Sequence, residues 1–121
     1  MKATKLIPML WTNHFQETID FYTQIIGFTC DERNEQLNWA SLHLDDVELM
    51  VAVPNEHMTF EKPIFTGSFY FRVEDVDHMY MLLKDSARLV YPIENFEWEM
   101  REFAIYDNNG YILQFGQEIK A

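Results

Sequence analysis

The chain has a single cysteine, Cys30, among 121 residues, and only nine lysines and arginines against twenty aspartates and glutamates. One cysteine allows no intramolecular disulfide and no cysteine cluster for zinc. Cys30 is read as a small buried hydrophobe rather than a reactive thiol, since no base stands at a partner spacing. A formal net charge of −11 repels nucleic acid and anionic lipid, so neither is expected as a partner. Four glycines and four prolines form no linker and no low-complexity tract. No apolar run approaches the ~20 residues of a membrane span. The opening MKATKLIPML has basic residues, but its apolar run soon breaks at Thr12 and Asn13, so no secretory leader is expected. A cytoplasmic protein is the expectation.

Apolar and aromatic residues, by contrast, are plentiful, at 48% and 16% of the chain. That is enough for one folded domain with a real core. Periodicity divides it into two similar halves. A strand over 5–11 leads to a helix capped by Asn13, with Gln16 in capping-box position. Phe15, Ile19, Tyr22 and Ile26 keep helical spacing, and Gly27 stops the helix. Strands follow over 28–31, 38–44 and 47–53, with Asp45-Asp46 as a tight turn. The second half repeats the order: a strand over 68–73, a helix capped by Glu74 or Asp75, a short strand over 88–91, and a closing hairpin of 101–106 and 111–116. The fold class is α+β. Two βαβββ modules, about 1–54 and 67–121 with a connector at 55–66, are expected to form an open eight-stranded mixed sheet or partial barrel around a shared cavity. Two helices cover its convex face. Residues 46–51 overlay 110–115 at a constant offset, which makes Met50 and Gln114 equivalent.

Strand side chains alternate between faces. One parity, including Leu10, Leu49, Val51, Phe71, Leu113 and Phe115, is almost wholly apolar and suits the helices. The other interleaves Trp11, Trp39, His43, Glu48, Met50, Ser68, Tyr70, Glu102 and Gln114. Such a mixed face is either solvated or a ligand cavity. Its large aromatics favour the cavity, since in water they would form an exposed apolar patch.

The paired modules, Ile19-Asp20-Phe21-Tyr22 with Ile26-Gly27-Phe28, and Asp107-Asn108-Asn109-Gly110-Tyr111 resemble the glyoxalase/bleomycin resistance/dioxygenase (vicinal oxygen chelate) superfamily. Ile7-Pro8-Met9-Leu10, Asp45-Asp46-Val47 and Arg101-Glu102-Phe103-Ala104 are similar to its bleomycin-binding branch. In the metal-dependent members, His, Gln or Glu at four strand positions hold one divalent ion. The resemblance carries these positions onto Ile7, Met50 (or Glu48, two residues away), Ser68 and Gln114. Ile7 cannot ligate, and Ser68 and Met50 are poor ligands. A metal-free member without cofactor is expected.

His43 lies across the Asp45-Asp46 turn from Glu48. The two are a candidate general acid/base pair or pH-sensitive contact, or a cross-strand pair at a sheet margin. Glu94, Glu97, Glu99 and Glu102 surround Phe96 and Trp98. Beside the resemblance, this acidic and aromatic stretch suits the cationic, planar ligands of the branch. Arg101 either holds a ligand carboxylate or pairs with Glu102 and its neighbours. The expected function is metal-independent sequestration of a small aromatic molecule, for which the acidic groups allow a positive charge, and so antibiotic resistance without chemistry. The expected ligand-binding residues are Trp11, Trp39, Met50, Tyr70, Phe96, Trp98, Arg101, Glu102 and Gln114. The resemblance also implies a homodimer. The alternatives are a lyase, isomerase or dioxygenase with a degenerate or relocated metal site, using His43, Glu48 and Gln114, and a module that binds a protein or peptide on its open face.

Overall fold

The computed structural model of the chain describes residues 1–55 and 57–119. Glu56 of the expected connector, and Lys120 and Ala121 of the second module, lie outside the described residues. The chain divides into two compact units, Met1–Lys62 and Pro63–Ala121. Each carries a four-stranded mixed sheet and one helical segment in the same order, as the internal repeat predicts.

In the first unit, β1 (Met9–Trp11) is followed by α1 (Phe15–Asp20), which runs on as a wider π-type turn over Phe21–Ile26. Then come β2 (Thr29–Asn34), β3 (Trp39–Leu44) and β4 (Val47–Ala52), in the spatial order β1-β4-β3-β2. β1 begins later than expected. Pro8 has no N–H for a ladder, and only its carbonyl takes part, accepting from Met50 N–H at 2.9 Å. Asn13 does not cap α1 either. Instead the Thr12 hydroxyl accepts from His14 N–H at 2.9 Å, while the Asn13 amide donates to the Phe60 carbonyl. The local capping choice lost to a hydroxyl one residue earlier that the fold buries completely. Gly27 closes the helical segment at φ 109°, its N–H bonding the Tyr22 carbonyl at 3.0 Å. The left-handed conformation there explains the glycine. Tyr22, fully buried, packs edge-on against Phe28 at 5.5 Å, beside Leu10, Ile19, Leu42 and Val51 of the core.

The second unit runs β5 (Phe69–Arg72), α2 (Val76–Leu83), β6 (Arg88–Asn95), β7 (Met100–Tyr106) and β8 (Ile112–Glu118), in the order β5-β8-β7-β6. Asp75 is the cap of α2, accepting from His78 N–H at 3.1 Å. One oxygen of the buried Asp107 carboxylate accepts from the N–H groups of Asn109, Gly110 and Tyr111 at 2.8–2.9 Å. With Gly110 at φ 102°, this builds the β7–β8 turn legible in Asp-Asn-Asn-Gly. β6 is twice as long as expected and slips register on both sides of Tyr91. Pro92 cannot donate to a ladder, and an edge strand tolerates the resulting bulges. Phe71, Phe103 and Phe115 stack through the core, and Phe103 meets Tyr80 of α2 at 5.1 Å.

Candidate functional site

Phe103 and Arg101 face α2, so strand alternation turns Glu102 and Ala104 to the opposite face of the second sheet. Register brings Gln114 beside Ala104 on one side and Tyr70 on the other. Across from Ala104 on β6 stands Tyr91. A single hydrogen-bonded chain results. The Ser68 hydroxyl donates to the Gln114 carbonyl oxygen, and the Gln114 amide donates to the Tyr91 hydroxyl at 2.8 Å. The hydroxyls of Tyr91, at 3.4 Å, and Tyr70 then both donate to the Glu102 carboxylate. Ala104, fully buried, lies in the middle of this face, and the aromatic side is extended by Phe96, edge-on to Tyr91 at 5.5 Å. Trp98 stacks on Phe96 at 4.6 Å, with 57% of its surface exposed.

Glu102 is the chemical centre of the group. Only 2% of it is exposed, and no lysine or arginine pairs with it among the described residues. Phenol hydroxyls donating to a carboxylate form strong, charge-assisted bonds. The neutral phenols are stabilised in turn. Burial, then the hydrogen bond to Glu102 and its charge, push the Tyr70 hydroxyl well above its ordinary range. Tyr70 is 42% exposed, and its hydroxyl donates to the buried Glu102 carboxylate. Burial likewise raises Tyr91, against the lowering effect of the Gln114 amide and with a further rise from Glu102. Folded-state tyrosine pKa values above the unfolded ones mean stability that is full below about pH 10 and lost as pH climbs through the raised values. An absorbance titration of tyrosinate should therefore show Tyr70 and Tyr91 ionising late. In Glu102→Gln both should ionise at lower pH than in the parent, and unchanged curves would refute the coupling.

Tyr70 thus meets Glu102 directly, Gln114 reaches Glu102 through the Tyr91 hydroxyl, and Phe96 and Trp98 adjoin the group through Tyr91. Arg101 does not join this group. Its guanidinium grips the Asp77 carboxylate through two nitrogens at 2.9–3.2 Å and reaches the Asn95 side chain at 3.0 Å. The reason is parity, because residue 101 falls on the helix side of β7. Trp11, Trp39 and Met50 belong to the first unit. There Trp11 packs edge-on to Phe60 at 6.3 Å, and the Trp39 indole N–H points to the Met50 sulfur at 3.1 Å.

His43 is opposite Glu48 in register, as the turn predicts. The two side chains nevertheless pair elsewhere: His43 with Asp31 of β2 at 2.7 Å, and Glu48 with Lys5 at 3.2 Å. They line an open cavity of about 390 Å³ with Asp45, Asp46 and Val47. Exposed pairs of this kind contribute little, and no serine, threonine or cysteine is among the residues lining this cavity. Cys30, on β2, is half-buried rather than enclosed.

Two members of the site escaped sequence reasoning. Tyr91 falls beside the bulges, where alternation ceases to report the face. Gly116, although within β8, has no positive φ; its role is space. A Cβ there would stand 1.8 Å from the Tyr70 hydroxyl and 2.6 Å from Cζ. Glycine in a strand interior is a signal of close approach, and this is the signal that could have found it.

The resemblance carries the superfamily's metal-ligand positions onto Ile7 and Met50 in the first unit and Ser68 and Gln114 in the second. Ile7 has no donor, the Met50 sulfur is turned to Trp39, and the Gln114 oxygen is engaged by Ser68. Among the described residues, no group of three or more His, Cys, Asp or Glu side chains converges as a metal site.

Comparison with known proteins agrees with the fold. The chain is 24% identical to the bleomycin resistance protein of Geobacillus stearothermophilus, over 95% of this chain and 97% of that one. The Staphylococcus aureus protein of the same name matches equally. Among solved structures, TioX from Micromonospora sp. ML1 superposes with a TM-score of 0.80 at 18% identity, covering 97% of this chain and all of TioX. Lactoylglutathione lyase from Agrobacterium tumefaciens gives 0.74 at 13% identity, over 96% and 94% of the two chains. At these identities, the structural likeness shows the fold alone. The model of the Glyoxalase/Bleomycin resistance protein/Dioxygenase superfamily matches residues 7–115, and the chain belongs to that superfamily.

Proposed function

We propose that the chain binds a small aromatic, positively charged molecule on the face that carries Glu102, and does so without a metal of its own. One observation carries the reading: a buried carboxylate that accepts from two neutral hydroxyls and, among the described residues, forms no ion pair, although Arg72 stands in the same cross-strand row beyond Gly116 and its charge acts on Tyr70. Burying a lone charge is costly unless something compensates it. A cationic ligand placed there would supply the missing charge where water screens it least. Phe96 and Trp98 beside it offer the flat surface that an aromatic cation prefers. Glu94, Glu97 and Glu99, together with the net charge of −11, would attract such a ligand from a distance.

The relatives' name makes bleomycin the first probe, followed by simpler aromatic cations. Titration calorimetry at low salt should give a dissociation constant about 30-fold weaker for Glu102→Gln than for the parent, as expected when one side of a buried charged contact is neutralised. Circular dichroism would verify that the variant is folded. Equal affinities in a folded Glu102→Gln protein would remove this carboxylate from the binding site.

A further inference from the structure

We propose that Tyr70 determines which ligands this face accepts. Its hydroxyl occupies the place on Glu102 that a ligand's donor must take, so only donors stronger than a phenol, cationic N–H groups, bind with a net gain. This rests on reading the face as a ligand site.

The geometry separates the two hydroxyls on Glu102. Tyr91 is held from three sides: its oxygen accepts from the Gln114 amide, its hydroxyl reaches Glu102, and its ring meets Phe96. Tyr70 is held differently. It starts from β5, at the edge of the sheet, and its ring crosses β8 over Gly116 to reach Glu102 on β7. Tyr70 is 42% exposed, whereas Tyr91 also holds the Gln114 amide and the Phe96 ring. Of the two donors, Tyr70 is the one a ligand can displace without disturbing the Gln114 chain.

Displacement has a chemical consequence. A neutral N–H or O–H that replaces the Tyr70 hydroxyl exchanges one neutral donor for another at the same carboxylate and gains almost nothing. An ammonium or amidinium adds its charge next to a buried anion, where attraction is strong. Tyr70 therefore sets a threshold that neutral aromatics do not pass.

The test uses benzamidinium and its neutral counterpart benzamide as probes, with the parent, Tyr70→Phe, Tyr70→Ala and Glu102→Gln proteins. Removing the competing hydroxyl should tighten benzamidinium by about tenfold and bring benzamide into the measurable range, the scale expected for one charge-assisted hydrogen bond. Affinity that is unchanged or weaker in Tyr70→Phe would overturn the proposal. A second measurement needs no bound ligand: the rate at which a water-soluble carbodiimide and glycinamide modify Glu102, read by peptide mass mapping. The rate should rise several-fold in Tyr70→Phe and further in Tyr70→Ala. Equal rates in all three would show that Tyr70 does not cover the carboxylate, and would overturn the proposal. If the modification rates respond but neither probe binds the parent, or Glu102→Gln binds them equally well, the ligand-site reading is what fails. The threshold falls with it, and Tyr70 stands only as a cover.

Discussion

Gly116→Ala should destabilise the protein by about 2–4 kcal/mol, combining overpacking with the loss of one donor to a buried carboxylate. Alanine fits the backbone at this position, so no conformational strain contributes. The whole cost arises above β8, where the added methyl would occupy the path of the Tyr70 ring. The ring must leave, and Glu102, 2% exposed, then keeps only the longer hydroxyl contact, from Tyr91. Thermal or urea unfolding measures the loss. A double-mutant cycle identifies its cause: in a Tyr70→Ala background the collision is absent, and Gly116→Ala should then cost under ~1 kcal/mol. An equal cost in both backgrounds would mean that Tyr70 does not lie over Gly116.

Phe115→Ala is expected to cost about 3–5 kcal/mol, a large share of the ~5–15 kcal/mol that holds a typical domain. Phe115 is fully buried between Phe71 at 5.0 Å and Phe103 at 5.2 Å, both near-parallel to it. Phe103 passes the contact on to Tyr80. Alanine would leave a void bounded by rigid rings on two sides, which collapse poorly into it. The urea midpoint should fall sharply with little change in slope. Phe115→Leu, which retains most of the volume, should recover all but about 1.5 kcal/mol. A small effect for Phe115→Ala would show that this stack is not the centre of the second core. The two substitutions are adjacent in β8 yet act on opposite faces of one sheet, the first through the site and the second through the core.

Much of this protein follows from its residues taken in order. Alternation along the strands separates Leu42, Leu49, Val51, Leu113 and Phe115 from Ser41, Met50, Tyr70 and Gln114. Gly27, Asp75 and Asp107-Asn-Asn-Gly each end or begin an element by contacts within a few residues. Signals of that kind survive folding because the chain makes them locally. The repeat of order between the halves was legible for the same reason.

What only the tertiary structure decided is partnership. His43 has Glu48 opposite it yet bonds Asp31, because β2 lies on its other side. Arg101 pairs with Asp77, because α2 covers its face of β7. Tyr91 enters the site through bulges beside Pro92, and Gly116 matters for a ring whose backbone lies one strand away. Each of these depends on strand order and register, which join residues distant in sequence. A period of two reports which way a side chain points, but not which side chain meets it there.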